Sequence, residues 1–437
     1  MDKKGRQAVI VIHGMGEQRP MDTLRGFVNG VKAQMEAEDK TEIGIKVRSQ
    51  PDSIGDIYET VKLSMESNYQ SKRPITDFYE FYWAHNMRST KFGQMGTWLK
   101  QLIFVNIARV PKHLKRIWLV VWGIFVLTFV VILLITFFFD IKPAMKVLTA
   151  FLGGTFISYA WTWMATFIKS SFLNSLGDVA RYMTPEPDNI MERSRIRQQG
   201  INFLKKLHNI SDYSKPDRII IVAHSLGSVV AYDLMRLLWC EYNMVYPTQP
   251  SKGQPMLDEL NNFAKNPGNI ASNYEKFAAA QFNYWAESRS LGNPWLITDF
   301  ITIGAAVNSM DYFMVNKASF DFLIEQREIP VCPPEVDNVS GDIFYRQYIS
   351  QPDKKNRKGV NATHHGAMFS MTRWKNIYYS SDFVGGPMQR RFGLGVDDIE
   401  IPRKSFFFYP GGHTDYWTPG KDKGALKAII SAMRLHT

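Results

Sequence analysis

The sequence predicts a doubly wound α/β fold, and three observations predict it. Apolar runs of strand length alternate with amphipathic stretches of helix length. One apolar run, residues 218–222, stops at a serine set among small residues, and a helix-forming run follows at once. Another, residues 7–12, ends in a glycine-rich turn. Two uncharged segments interrupt this alternation. The expected organisation is therefore a discontinuous domain of residues 1–100 and 170–437, with lid-like insertions, around a two-helix transmembrane hairpin within residues 101–169.

In chain order, residues 7–12 read as a buried parallel strand, being almost continuously apolar up to His13-Gly14-Met15-Gly16. Residues 22–38 place Leu24, Phe27, Val28, Val31 and Met35 on one helical face. Residues 77–84, rich in aromatics, read as a strand, and residues 189–207 as a charged helix. The elbow follows: strand 218–222, Ala223-His224-Ser225-Leu226-Gly227, then the helical run 229–235. Small residues two before and two after the serine let strand and helix pack closely around the turn. Ala223 stands where such turns usually have glycine, and a methyl is the smallest replacement. Residues 272–289 carry Tyr274, Phe277, Phe282 and Trp285 at helical spacing, read as core packing rather than a ligand cage. Residues 295–307, 374–379 and 405–409 are the remaining expected strands. Residues 242–269 and 324–366 are polar, irregular and contain Pro and Gly, which makes them candidate lids.

Residues 117–139 and 147–168 contain no charged side chain, and each is long enough to cross a bilayer. A short turn with Pro143 joins them, and Trp118, Trp122, Trp161 and Trp163 fall near their ends. Lys100, Arg109, Lys112, Lys115 and Arg116 precede the first run, and Lys169 and Arg181 follow the second. The excess of basic residues on these outer flanks places both termini and the catalytic domain in the cytoplasm of a two-helix, multi-pass membrane protein. The amino terminus has charge but no apolar core of a signal peptide.

Over the 437 residues the hydrophobic fraction is 45%, with 29 Phe, 19 Tyr and 11 Trp, which excludes a largely disordered chain. Two cysteines, Cys240 and Cys332, cannot build a disulfide framework or a zinc site and suit a reducing compartment. No metal or organic cofactor is expected. The net charge of +11 comes without zinc-ligand spacing, a phosphate loop or basic-aromatic repeats, so nucleic acid is not an expected partner. Anionic phospholipids of the bilayer fit better, because basic residues gather beside the uncharged runs.

A serine hydroxyl attacks only when a base takes its proton, so Ser225 needs a histidine, and that histidine an orienting acid. On this kind of elbow the order along the chain is Ser, then Asp or Glu, then His. Of nine histidines, only His364, His365 and His413 lie downstream and away from the terminus. His413 sits in the glycine-hinged Gly411-Gly412-His413-Thr414-Asp415 just past the last expected strand, whereas His364-His365 falls in a polar insertion. Asp382, at the end of the 374–379 strand and before Gly385-Gly386-Pro387, is the favoured acid, with Asp311 as runner-up. Asp415 is too near His413 in the chain to reach its far nitrogen. The oxyanion formed in acyl transfer needs two amides, and those of Leu226 and Met15 are the candidates.

These residues together resemble the serine α/β-hydrolases, specifically the lipase and esterase branch with a His-Gly oxyanion turn. The likeness is carried by 11–16, by 222–228 and by the surroundings of Asp382 and His413. Gly177-Asp178-Val179-Ala180-Arg181-Tyr182 also looks like a segment of intracellular phospholipases of that fold. The resemblance implies an α/β-hydrolase fold over about residues 5–100 and 170–420, and cleavage of carboxylic esters, foremost lipid acyl esters, through an acyl-enzyme. A thioesterase, a peptidase or an inactive membrane scaffold of the same fold remain alternatives.

Overall fold

The computed structural model describes residues 5–14, 19–38, 44–55, 57–67, 73–86, 187–309, 320–348, 359–382, 384–403, 411–418 and 423–435, together with Tyr182 and scattered positions between 115 and 130. Its centre is an eight-stranded, mostly parallel sheet of order β10-β9-β6-β5-β1-β4-β3-β2. The strands are β1 (Arg6–Ile12), β2 (Lys46–Gln50), β3 (Lys62–Glu66), β4 (Ile75–Glu80), β5 (Arg218–His224), β6 (Ile297–Ile303), β9 (Arg373–Tyr379) and β10 (Val396–Ile401). A separate antiparallel pair is made by β7 (Phe344–Tyr348) and β8 (Gly359–Thr363). From β4 to β10 all neighbours are parallel, and β3 and β2 continue the β4 edge antiparallel.

The alternation of side chains along each strand divides the core in two. On one face Val9 and Val11 of β1, Ile220 and Val222 of β5, and Ile301 and Ile303 of β6 meet helices α1 (Asp22–Glu38) and the carboxy-terminal Lys423–Met433. On the other face Ala8, Ile10, Ile12, Ile219, Ile221 and Phe300 meet α2 (Pro187–His208), α3 (Gly227–Tyr242), α4 (Pro255–Lys265) and α5 (Tyr274–Ser290). Both faces of the parallel strands are thus covered by helices. This is why β1 and β5 read as continuous apolar runs rather than alternating ones.

The chain passes from β1 to β4 on one side, returns to lay β5 on the other side of β1, and then moves outward through β6, β9 and β10. The direction of winding therefore reverses between β1 and β5. The crevice beyond the carboxyl ends of these two strands is where open α/β sheets place their sites.

Helix α1 has the bounds its apolar spacing predicts, and α2 and α5 agree within two residues. Other elements differ. The edge strand β2 and its neighbour β3 fall where no strand is expected; in β2 the exposed Lys46, Arg48 and Ser49 hide the strand signal, and β3 buries only Leu63, Ser64 and Met65 between Lys62 and Glu66. Strand β10 carries Asp397, Asp398 and Glu400, a composition that reads as loop; the strand expected at 405–409 lies outside the described residues. The irregular stretch 242–269 contains α4, opened by Pro255, and 324–366 contains the β7–β8 pair. Expected strand 295–307 stops at Ile303, where Gly304 takes φ +50° and the backbone turns away from the sheet.

The expected transmembrane runs, 117–139 and 147–168, lie almost wholly outside the described residues. Positions described between 118 and 130 are helical; Trp118 packs on the core, and Leu119 and Leu127 are exposed. Among the described residues no helix is long and apolar enough to cross a membrane.

Candidate active site

Ser225 is the first residue of the two-residue turn between β5 and α3, with φ +53°, a left-handed backbone that costs a residue with a Cβ about 1–3 kcal/mol. Its own amide is spent on the Ile303 carbonyl (3.1 Å), and its carbonyl accepts from Ala306 N (3.2 Å) and Ser228 Oγ (2.6 Å). The strain is therefore held by β6 and by the first turn of α3. Two glycines are required by close approach. A Cβ on Gly227 would lie 2.3 Å from the Ile12 carbonyl oxygen, so α3 rests directly on the end of β1. A Cβ on Gly14 would lie 2.6 Å from Ser225 Cβ, so the turn after β1 passes across the face of the serine.

The structure brings three of the sequence-derived residues together. His413, on the helical turn Gly411–Thr414, places Nε2 2.8 Å from Ser225 Oγ and Nδ1 3.1 Å from both oxygens of Asp382. Asp382 follows β9, and all three side chains are buried. The carboxylate also accepts from Val384 N (2.8 Å) and Tyr416 Oη (2.6 Å). Burial alone would raise its pKa, but the neighbouring His413 and these donors hold it well below the usual carboxylate range. An ionised Asp382 accepts Nδ1–H, so His413 turns a lone pair on Nε2 toward the serine. Gly304 leaves room for this carboxylate, since a Cβ there would sit 2.7 Å from Asp382 Oδ2.

Leu226, the residue that caps α3, has helical dihedrals, and among the described residues no acceptor takes its amide. Met15, the second oxyanion candidate, lies outside the described residues. The two residues before it are placed: His13 is buried, stacked on Trp83, with Nδ1–H donating to the Gly14 carbonyl (2.6 Å) and its own carbonyl accepting from Trp83 Nε1 (3.1 Å). Burial lowers the His13 pKa to about 4, so the ring is neutral at physiological pH.

The described competitors go elsewhere. His364 is buried under β8, where its Nε2–H donates to the Glu335 carbonyl (2.7 Å) and Nδ1 accepts from Gly366 N (3.1 Å). Both ring nitrogens are occupied, and neither reaches Ser225. Asp415 pairs with Arg403 (2.8 Å). Asp311 lies outside the described residues. Cys240 and Cys332 are both free thiols, the first exposed and the second buried.

Sequence reasoning missed Tyr416 and His224. Tyr416 Oη donates to Asp382 and accepts from Tyr379 N (3.0 Å), and its ring stacks on Tyr379 at 4.2 Å. His224 donates Nε2–H to the His413 carbonyl (2.8 Å). His224 stands inside the elbow and Tyr416 directly follows the glycine-hinged stretch 411–415, but nothing in the spacing tells which neighbour of a motif residue folds back onto it.

The arrangement supplies a serine nucleophile, a base within hydrogen-bond reach, an acid that fixes the base's tautomer and an amide beside the nucleophile. Such a set can carry acyl transfer. Compared with protein families, curated proteins and solved structures, the chain matches none.

Proposed function

We propose that the protein is a membrane-anchored serine hydrolase of α/β-hydrolase type that cleaves carboxylic esters, foremost the acyl esters of lipids. The observation that carries this reading is the continuous path Ser225 Oγ–His413 Nε2 and His413 Nδ1–Asp382, with links of 2.8 and 3.1 Å, at the winding reversal of the sheet. Ser225 Oγ attacks the ester carbonyl carbon while its proton passes to His413 Nε2. The carbonyl electron pair moves to oxygen, where the Leu226 amide and the Met15 amide donate. Collapse expels the alcohol, which leaves with the proton from His413, and the acyl group stays on Ser225. Water then attacks the acyl-enzyme with His413 again as base, releasing the acid. Asp382 stays ionised throughout and stabilises the imidazolium.

The lipid assignment is supported by the two uncharged runs of residues 117–139 and 147–168 and the basic flank Arg109, Lys112, Lys115 and Arg116. An anchor confines enzyme and lipid to one surface, and each basic residue adds about 1 kcal/mol of attraction to an anionic leaflet. A fluorophosphonate probe is expected to label the wild type and not Ser225→Ala. Hydrolysis of a phospholipid or acylglycerol in micelles is expected to exceed that of a soluble butyrate ester. Absence of labelling with intact folding overturns the hydrolase reading. A preference for the butyrate overturns the lipid assignment alone.

A further inference from the structure

We propose that His224, the residue before the nucleophile, is a positioning residue that fastens the base-bearing loop to the elbow. The proposal rests on the hydrolase reading for its kinetic consequence but on geometry alone for the contact. His413 rides on a single helical turn, Gly411–Thr414, that joins no strand ladder among the described residues. Its side chain is directed by Asp382; its main chain is reached from the elbow, because His224 Nε2–H donates to the His413 carbonyl at 2.8 Å. His224 is the last residue of β5 and is adjacent to Ser225, so nucleophile and strut move as one piece.

The ring of His224 is wedged as well as bonded. It lies 4.9 Å from the His413 ring and 4.9 Å, edge-on, from Trp417. Trp417 in turn meets Phe27 of α1 at 5.9 Å, and its carbonyl fills the space that a Cβ on Gly30 would need. The elbow, the base loop and α1 thus converge on one imidazole. Burial, with His413 close by, lowers the His224 pKa to about 3. The ring therefore holds one proton at physiological pH, and the contact with a carbonyl places it on Nε2. A second positive charge is kept away from the imidazolium that forms on His413 during the reaction. A purely apolar wedge would fill the space but leave the His413 carbonyl without this donor.

The test compares His224→Leu and His224→Phe, which keep bulk and lose the donor, with His224→Gln, whose amide can reach the same carbonyl. A displacement of 1 Å between reacting groups costs about 10²-fold, so Leu and Phe are expected to lower kcat by about that factor with KM within about twofold, and Gln to recover to within about tenfold of wild type. In a His413→Ala background, His224→Leu is expected to lower residual activity no further, since residues acting as one unit are not additive. A second readout needs no turnover. The His413 Nδ1 proton, held against Asp382, is expected as a low-field proton resonance of the full-length protein in detergent, assigned by its loss in His413→Ala. It should broaden by solvent exchange in Leu and Phe and persist in Gln. Wild-type kcat and an unchanged resonance in Leu and Phe overturn the proposal, as does a Gln variant no better than Leu. If the wild type hydrolyses no ester and takes no fluorophosphonate, the hydrolase reading falls, and the resonance still decides the role of His224.

Discussion

Ser225 and Gly14 face each other so closely that the chemistry of one depends on the size of the other. Ser225→Ala removes the acceptor of the acyl group and is expected to lower turnover by about 10⁴ to 10⁶ while the melting temperature holds. Gly14→Ala puts a methyl 2.6 Å from Ser225 Cβ, so turn or nucleophile must move. It is expected to slow fluorophosphonate labelling by about 10²-fold with a folded far-ultraviolet spectrum, and labelling at the wild-type rate would count against this crossing. Asp382→Asn offers an amide N–H to His413 Nδ1, which invites the tautomer with its proton on Nε2. Turnover is expected to fall by a factor on the order of 10⁴, measured as kcat on the same ester. Tyr416→Phe removes the hydroxyl that donates to Asp382 and accepts from the Tyr379 amide, two buried hydrogen bonds. A loss of about 1–3 kcal/mol in urea unfolding is expected from their removal. His413 and Asp382 could be named from chain order and glycine hinges. Tyr416 could not, because its partner is 34 residues away and only folding brings them to 2.6 Å.

At the opposite end of the sheet from the serine, β5, β6 and β9 are tied by a buried ion pair. Arg373 of β9 forks onto both oxygens of Asp299 of β6 at 2.8 Å, and Arg218 of β5 reaches the same carboxylate at 3.4 Å. Burial would raise the Asp299 pKa, but Arg373 and Arg218 outweigh it and the shift is downward. A depressed carboxylate contributes stability above its unfolded pKa, and that stability is lost as pH falls through the folded value. Arg373→Ala leaves Asp299 charged and buried with the Thr298 hydroxyl at 2.7 Å and Arg218, at 3.4 Å, as its remaining cation, and is expected to cost about 3–5 kcal/mol in urea unfolding. Replacing both residues by apolar ones of similar volume is expected to cost less than the single change. If the double variant is the weaker, the pair is a net source of stability rather than a constraint on strand register. No sequence rule joins Asp299 to Arg373. Each alone is a charge in a strand, and their pairing follows only from β6 lying beside β9.

Across the whole molecule, four buried histidines set the response to acid. Burial lowers the pKa of His13, His208 and His364 to about 4 and that of His224 to about 3. Each is below its unfolded value, so the stability it contributes is complete above about pH 6.5 and is lost as pH falls toward 4. Glu80 acts in the other direction: burial raises its pKa to about 7 although the amides of Met21 and Leu24 donate to it, so it adds stability as pH falls from 7 toward 4.5. Asp52, Glu287 and Asp398, raised by burial to a smaller extent, act with Glu80; against them the four larger histidine shifts make the urea midpoint fall between pH 7 and 5 at constant ionic strength. A midpoint that rises over that range would falsify the assignment of these histidines as neutral and buried. At the same scale, alkaline carbonate is expected to leave the full chain in the membrane pellet; release into the supernatant would return residues 117–168 to a soluble domain.

The amino-acid sequence by itself determined the alternation of buried strands and amphipathic helices, the elbow at Ser225 and the candidates Asp382 and His413. These are local signals: a β-branched run fits only a strand covered on both faces, and small residues mark where backbones must touch. Strand order, the acidic edge strand β10, the β7–β8 pair and the partners Tyr416 and His224 were decided by tertiary structure. Edge strands expose one side and carry charge, so composition hides them. Contacts between residues 34 or 189 positions apart carry no periodicity that a chain can display. They exist because the sheet sets β5, β6 and β9 side by side and delivers the 411–418 loop to the crevice above them.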